Sequence, residues 1–286
     1  MAVFEHWSAS WPVLAGYLAA AAVHLIGLWR LRGQQRSGPE AGTRVQTARE
    51  AICYQFGLLL VLLALVSPVG YLADRYIWVR LLQELIVAVT GPGLIVLGAP
   101  WNALRAGLAR APLPDDARLP RWLTAWPMAM VIGANVIWLG WQVPALFDRA
   151  QSSAGLALIE HVSYLAAGLI FWLELCSSRP FRQRTSALRR AGFVFGTVAA
   201  SSIFGIALVF SSGVFYPSYA GPLHHLMTVL DDQQLAGAVW WMGILVPLSV
   251  PGVALMVEWL NNEESDGLDR LLTPRRHGWP SRSVIR

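Results

Sequence analysis

Arg80 and Glu84 stand four residues apart in one apolar stretch, and Glu160 and His161 stand side by side in another. His224, His225 and Met227 precede a third such stretch, which opens with Asp231, Asp232 and Gln233. Carboxylates and imidazoles can hold an opposite charge, pass a proton or bind a metal. A run of His-His-x-Met offers the soft ligands that copper accepts. On a helix, an i,i+4 spacing brings two side chains to one face, so Arg80 and Glu84 can form an ion pair. Glu160 and His161 suit a hydrogen-bonding pair at a helix entrance. Asp231 and Asp232 suit the first turn of a helix, where carboxylates satisfy free N–H groups. Loop solvation is the plainer reading of His224, His225 and Met227. His24 lies apart from these groups and reads as a packed histidine. Glu174 reads as paired with Arg179 or in reach of water.

The elements that must position these residues are membrane spans. The chain has 286 residues, of which 55% are hydrophobic and only 14% charged, and its mean hydropathy of +0.47 is that of a membrane protein. Seven apolar runs are long enough to cross a bilayer, near 12–30, 50–69, 77–98, 122–141, 156–175, 191–212 and 234–259. The fold class expected is therefore all-α, a polytopic protein with seven transmembrane helices. Gly91-Pro92-Gly93 in the third run and Pro247 with Pro251 in the seventh predict kinks. Residues 1–260 read as one seven-helix membrane domain and 261–286 as a polar, mobile cytoplasmic tail.

The basic residues are all Arg, and their placement alternates along the chain. The first connection carries Arg30, Arg32, Arg36, Arg44 and Arg49, the second only Arg75. The third carries Arg105, Arg110, Arg118 and Arg121, the fourth only Arg149. The fifth carries five, from Arg179 to Arg190; the sixth, from Gly213 to Gln233, has none. Positive residues stay in the cytoplasm, so the pattern predicts an outer N-terminus and a cytoplasmic C-terminus. The leading segment has Glu5 and no Arg, which speaks against a cleaved signal peptide. On this topology Arg80, Glu84, Gln142, Glu160, His161 and Asp232 share one depth near the outer face. Ionisable groups in a bilayer are expensive unless paired or wet, so their convergence predicts an outward-facing polar site.

Other classes are excluded. The arginines sit between apolar runs, where orientation explains them better than nucleic acid does. Cys53 and Cys176 have neither disulfide-framework nor zinc spacing. No nucleophile elbow, phosphate loop, HExxH or dinucleotide fingerprint is present, so no enzyme is expected.

Several segments carry a resemblance. Gln55-Phe56-Gly57-Leu58-Leu59-Leu60 through Ser67-Pro68 resembles the second span of the CtaG family of cytochrome c oxidase assembly factors, the caa3-type group. Leu82-Gln83-Glu84-Leu85 through Gly98-Ala99-Pro100 is similar to its third span. Trp141-Gln142-Val143-Pro144-Ala145-Leu146-Phe147 resembles its Trp-His-x-Pro-Ala-Leu-Tyr segment. The run from Glu160-His161 to Phe171-Trp172 looks like its fifth span, and Tyr216-Pro217-x-Tyr219-Ala220 with Asp232-Gln233-Gln234-Leu235-Ala236-Gly237 resembles its last outer loop and span. This chain departs from the family's pattern at its histidines. Arg80 and Glu84 occupy the positions of a His-x-x-x-His pair, Gln142 stands for the Trp-His-x-Pro histidine, and His161 survives.

The resemblance implies a non-enzymatic, multi-pass assembly factor of the bacterial cytoplasmic (inner) membrane, serving a haem–copper oxidase of the respiratory chain. Its surroundings would be membrane lipid, its partner an oxidase subunit, and copper the metal presented from the outer side. The ligands would be His161, His224, His225 and Met227, with Glu84 and Asp232 as oxygen ligands or as partners orienting them. Two other readings remain open. One is a transporter of a proton, metal or small solute using the same polar cluster. The other is a structural membrane subunit whose polar groups are all internally paired.

Overall fold

The computed structural model describes residues 11–36, 46–114, 117, 125–181, 185–219 and 227–272, and all regular elements among them are helical. The first run forms α1 (Trp11–Arg36) and the second α2 (Ala48–Val66). A capping box starts α2: Thr47 Oγ1 accepts from Glu50 N while the Glu50 carboxylate accepts from Thr47 N. Short α3 (Pro68–Ala73) follows Ser67, whose hydroxyl caps it. The third run is continuous but changes helix type: α4 (Ile77–Leu85), a π-helical turn (Ile86–Thr90) and α5 (Gly91–Leu97). Then come α6 (Trp101–Gly107), α7 (Pro127–Gly140), α8 (Pro144–Ser152), α9 (Ala154–Leu175), α10 (Ala187–Val209), a 3-10 turn (Pro217–Tyr219) and α11 (Val229–Leu272).

Among the described residues six helices are long and apolar enough to cross a membrane, and a seventh crossing results if α7 and α8 count as one broken span. The fourth run, expected over 122–141, meets a break just beyond its end. Its described part is α7, with 14 residues, only about 21 Å of helix, after which the chain bends by 69° into α8. Pro144 causes the break, because it has no N–H to donate and disfavours helical backbone at the residue before it. Val143 is accordingly extended, with ψ 124°.

The third span is the axis of the bundle: it is 78% buried, whereas the other five long helices lie between 17% and 33%. It packs against α2, α9 and α11. Pro92 cannot donate to the Ala88 carbonyl, and the π turn before it absorbs the mismatch. Trp172 on α9 packs against this turn, where its indole N–H donates to Val89 O at 2.9 Å. Two glycines make this approach possible. A Cβ at Gly168 would collide with Ala88 O, and one at Gly93 would sit 2.7 Å from the Trp172 ring. Small residues at crossings are the expected means of close packing in lipid, where apolar burial alone gives no drive to associate.

Helix α11 runs unbroken through Pro247 and Pro251 for 44 residues, about 66 Å against a bilayer core of about 30 Å. It therefore continues past the expected limit at 259 into the segment read as tail, and residues 273–286 lie outside the described ones. At the end of the bundle away from Arg80, Arg190 on α10 reaches Glu258 on α11 at 2.7 Å and donates to Leu175 O at the end of α9. His24 is packed, as its sequence position indicates. It is fully buried, with Nε2 2.8 Å from Gln46 Oε1 and Nδ1 3.0 Å from Gln55 Nε2. The amide nitrogen must be the donor to Nδ1, which assigns the proton to Nε2.

Candidate functional site: a buried arginine between two carboxylates

Arg80 lies one turn into α4 and Glu84 one turn further, on the most buried helix of the bundle. Their i,i+4 pair forms, with Arg80 Nε 3.1 Å from Glu84 Oε1. The guanidinium does more than close that pair. Its Nη2 reaches both oxygens of Glu160 on α9, at 3.1 and 3.2 Å, and its Nη1 donates to the Phe147 carbonyl on α8 at 3.2 Å. The Phe147 ring lies beneath the guanidinium carbon, 3.7 Å from ring centroid to carbon, a cation–π contact. One side chain thus ties the third span to α8 and α9.

Glu84 is fully buried, and both its oxygens are engaged. Oε1 faces Arg80, while Oε2 accepts from Gln142 Nε2 and from the Tyr164 hydroxyl at 3.2 Å. Tyr164 stands four residues after Glu160, so both face the third span from one side of α9. Glu160 is 2% exposed and Arg80 6%, so none of the three charges has a hydration shell to fall back on. Burying such charges is costly, and the contacts offset that cost only if they are nearly complete. Here one guanidinium faces two carboxylates, and the neutral donors Gln142 and Tyr164 supplement it.

Asp232 has a different task. Its oxygens accept from the backbone N–H groups of Ile77, at 2.8 Å, and Trp78, at 3.0 Å. The residue before α4, Tyr76, supplies no side-chain cap. Asp232, 155 residues away in sequence, caps the third span from α11. Its neighbour Asp231 serves α11 itself: Thr228 Oγ1 donates to Asp231 Oδ2 at 2.6 Å and accepts from Asp231 N. The two adjacent aspartates therefore cap two different helices.

The described residues that follow α10, up to Tyr219, cover this end of the bundle. Gln233 holds them by accepting from Phe215 N and donating to Gly213 O. Tyr216 donates to the Gln142 carbonyl at 2.9 Å and stacks on Phe147 at 4.2 Å; Tyr219 donates to Ala73 O at 2.8 Å. Burial pushes both phenols above the ordinary tyrosine value, so they remain donors.

The sequence-derived candidates thus separate. Glu84 joins Arg80 and Glu160, while Asp232 caps α4. His161 is half-buried beside Glu160, within electrostatic reach of Arg80. Met227 is half-buried just before α11. His224 and His225 lie outside the described residues. Glu160 pairs with Arg80 rather than with its neighbour His161. Residue type alone marks neither Tyr164 nor Phe147. The i,i+4 spacing from Glu160 marks Tyr164, but nothing local marks a backbone carbonyl and ring on α8.

Copper is the metal that these candidate residues raise, and the donor set at this centre does not fit it. A guanidinium occupies the space between the carboxylates, and both oxygens of Glu84 and of Asp232 already accept hydrogen bonds. Among the described residues no group of three or more His, Cys, Asp or Glu could hold a metal ion.

The family model described as cytochrome c oxidase caa3 assembly factor matches residues 22–262. An uncharacterized protein of Mycobacterium leprae (strain TN) is 30% identical over 205 residues, 65% of this chain and 30% of the relative. Uncharacterized proteins of Mycobacterium bovis and Mycobacterium tuberculosis are each 26% identical over 206 residues, again 65% of this chain and 30% of the relative. The match thus spans under a third of each of these longer relatives. No solved structure matches the chain.

Proposed function

Because the chain belongs to the cytochrome c oxidase caa3 assembly factor family, we propose that it is a membrane scaffold that holds an oxidase subunit during assembly, without presenting copper from its buried centre. The observation that carries this reading is the closed network around Arg80. It joins three helices, leaves neither oxygen of Glu84 open, and holds its carboxylates on a guanidinium instead of leaving them free to act as nucleophiles or ligands. A scaffold instead needs a fixed surface, and a cross-linked bundle supplies one.

The arginine alternation supports an orientation in which the Arg80 end faces outward and the Arg190 end faces the cytoplasm. Single cysteines at Ser212 and at Ser186 test it: an impermeant maleimide added to intact cells should label the first and spare the second. Mycobacterial relatives support a bacterial cytoplasmic membrane as the setting. If copper is presented at all, the observations favour the segment holding His224, His225 and Met227 over the buried centre.

The assembly role is tested by deleting the gene and following oxidase activity and the copper content of the oxidase. The scaffold reading expects oxidase to fall and to return with the wild-type chain and with His224→Ala/His225→Ala alike. An oxidase that assembles normally without the chain would refute the reading. Loss of rescue in the double histidine variant would instead place copper delivery in that loop. The transporter reading finds less support, since the polar cluster is closed over by Phe147, Tyr216 and Tyr219. Flux into proteoliposomes abolished by Glu84→Gln would revive it.

A further inference from the structure

Four oxygen atoms converge on the Arg80 guanidinium: Glu84 Oε1, both oxygens of Glu160 and the Phe147 carbonyl, at 3.1 to 3.2 Å. They come from three separate helices, and all lie where water is excluded. Two carboxylates and a carbonyl are the donor set that hard divalent cations select, because such ions prefer anionic and carbonyl oxygen.

We propose that Arg80 is a tethered cation filling an oxygen-lined cation site, so that its guanidinium both performs the cross-linking task of a bound metal ion and keeps metal ions out. The guanidinium is held on two sides by carboxylates and beneath by the Phe147 ring. A diffusing cation must displace a side chain whose effective concentration at the site is set by its own tether. The wild-type centre is therefore closed to copper and to hard divalent ions alike. Removing the side chain beyond Cβ opens the same cage. This inference concerns the centre alone and stands whether or not the chain assembles an oxidase.

The test uses the full chain purified in detergent. Wild type and Arg80→Ala are titrated with Mn2+, followed by electron paramagnetic resonance, and their thermal unfolding is followed with guanidinium ion or with urea at equal low concentration. Arg80→Ala is expected to bind one Mn2+ per chain. Its melting temperature should rise by several degrees with Mn2+ or guanidinium and stay unchanged with urea. Both responses should vanish in Arg80→Ala/Glu160→Gln. Wild type should bind no Mn2+ and show no shift with Mn2+. Arg80→Gln, which keeps a donor amide, serves if the alanine variant is not recovered folded. An Arg80 variant that ignores both cations overturns the proposal. So does a wild-type chain that takes up Mn2+ or Cu+ stoichiometrically and loses that uptake in Glu84→Gln or Glu160→Gln.

Discussion

Arginine meets glutamate at both ends of this bundle, and the two meetings differ in what surrounds them. At one end, Arg80 has two carboxylate partners whose side chains are 0% and 3% exposed. At the other, Arg190 has one partner, Glu258, whose side chain is 48% exposed. Arg190 is fixed as much by the Leu175 and Thr185 carbonyls as by that carboxylate. The lesson is that the residue pair does not set the energy; the solvent it has lost does. An exposed partner returns to water when the pair is broken. A buried partner is left charged in a medium that cannot screen it.

The largest effect expected follows from that contrast. Arg80→Met should destabilise the bundle by about 3–5 kcal/mol, because it strands two buried carboxylates. Glu258→Gln should cost no more than about 1 kcal/mol, the usual limit for a half-exposed pair. Reversible unfolding in mixed micelles measures both, and equal losses would break the comparison.

Asp232→Ala comes next. Removing a cap costs about 1–2 kcal/mol, and the loss here falls on the third span rather than on the helix that carries the aspartate. Hydrogen exchange should therefore quicken at Ile77 and Trp78 N–H while Asp231 N–H stays protected. Protection lost only within α11 would contradict the assignment.

A smaller effect is expected from Trp172→Phe. It keeps the ring against Gly93 but removes the donor to Val89 O, at a cost of about 1 kcal/mol for one hydrogen bond. If Trp172→Phe were neutral, the π-helical turn would satisfy its own carbonyls without help from α9.

Much of this architecture is legible in the residues, and the limits of that legibility are physical. Apolar length and arginine spacing show the spans, since the bilayer imposes both. Four-residue spacing shows the Arg80–Glu84 pair, because a helix face is a local property. The second partner, Glu160, lies 80 positions away, and only packing of α9 on the third span brings it in. The capping of α4 by Asp232 is hidden for the same reason: local reading hands each aspartate to its own helix. The break after the fourth run follows from Pro144, which lies beyond the apolar stretch that ends near 141, so hydropathy alone does not register it. Helix α11 outlasts its apolar stretch because Glu263 and Glu264 leave the membrane without leaving the helix.

A double-mutant cycle between Arg80 and Glu160 probes the central contact most directly. Unfolding free energies of Arg80→Met, Glu160→Gln and the double variant give the coupling between them. A guanidinium that binds α9 to the third span predicts a coupling of about 2 kcal/mol or more, with Glu160→Gln relieving part of the damage done by Arg80→Met. Strictly additive losses would mean that the two residues do not hold each other, and the cross-linked centre would be contradicted.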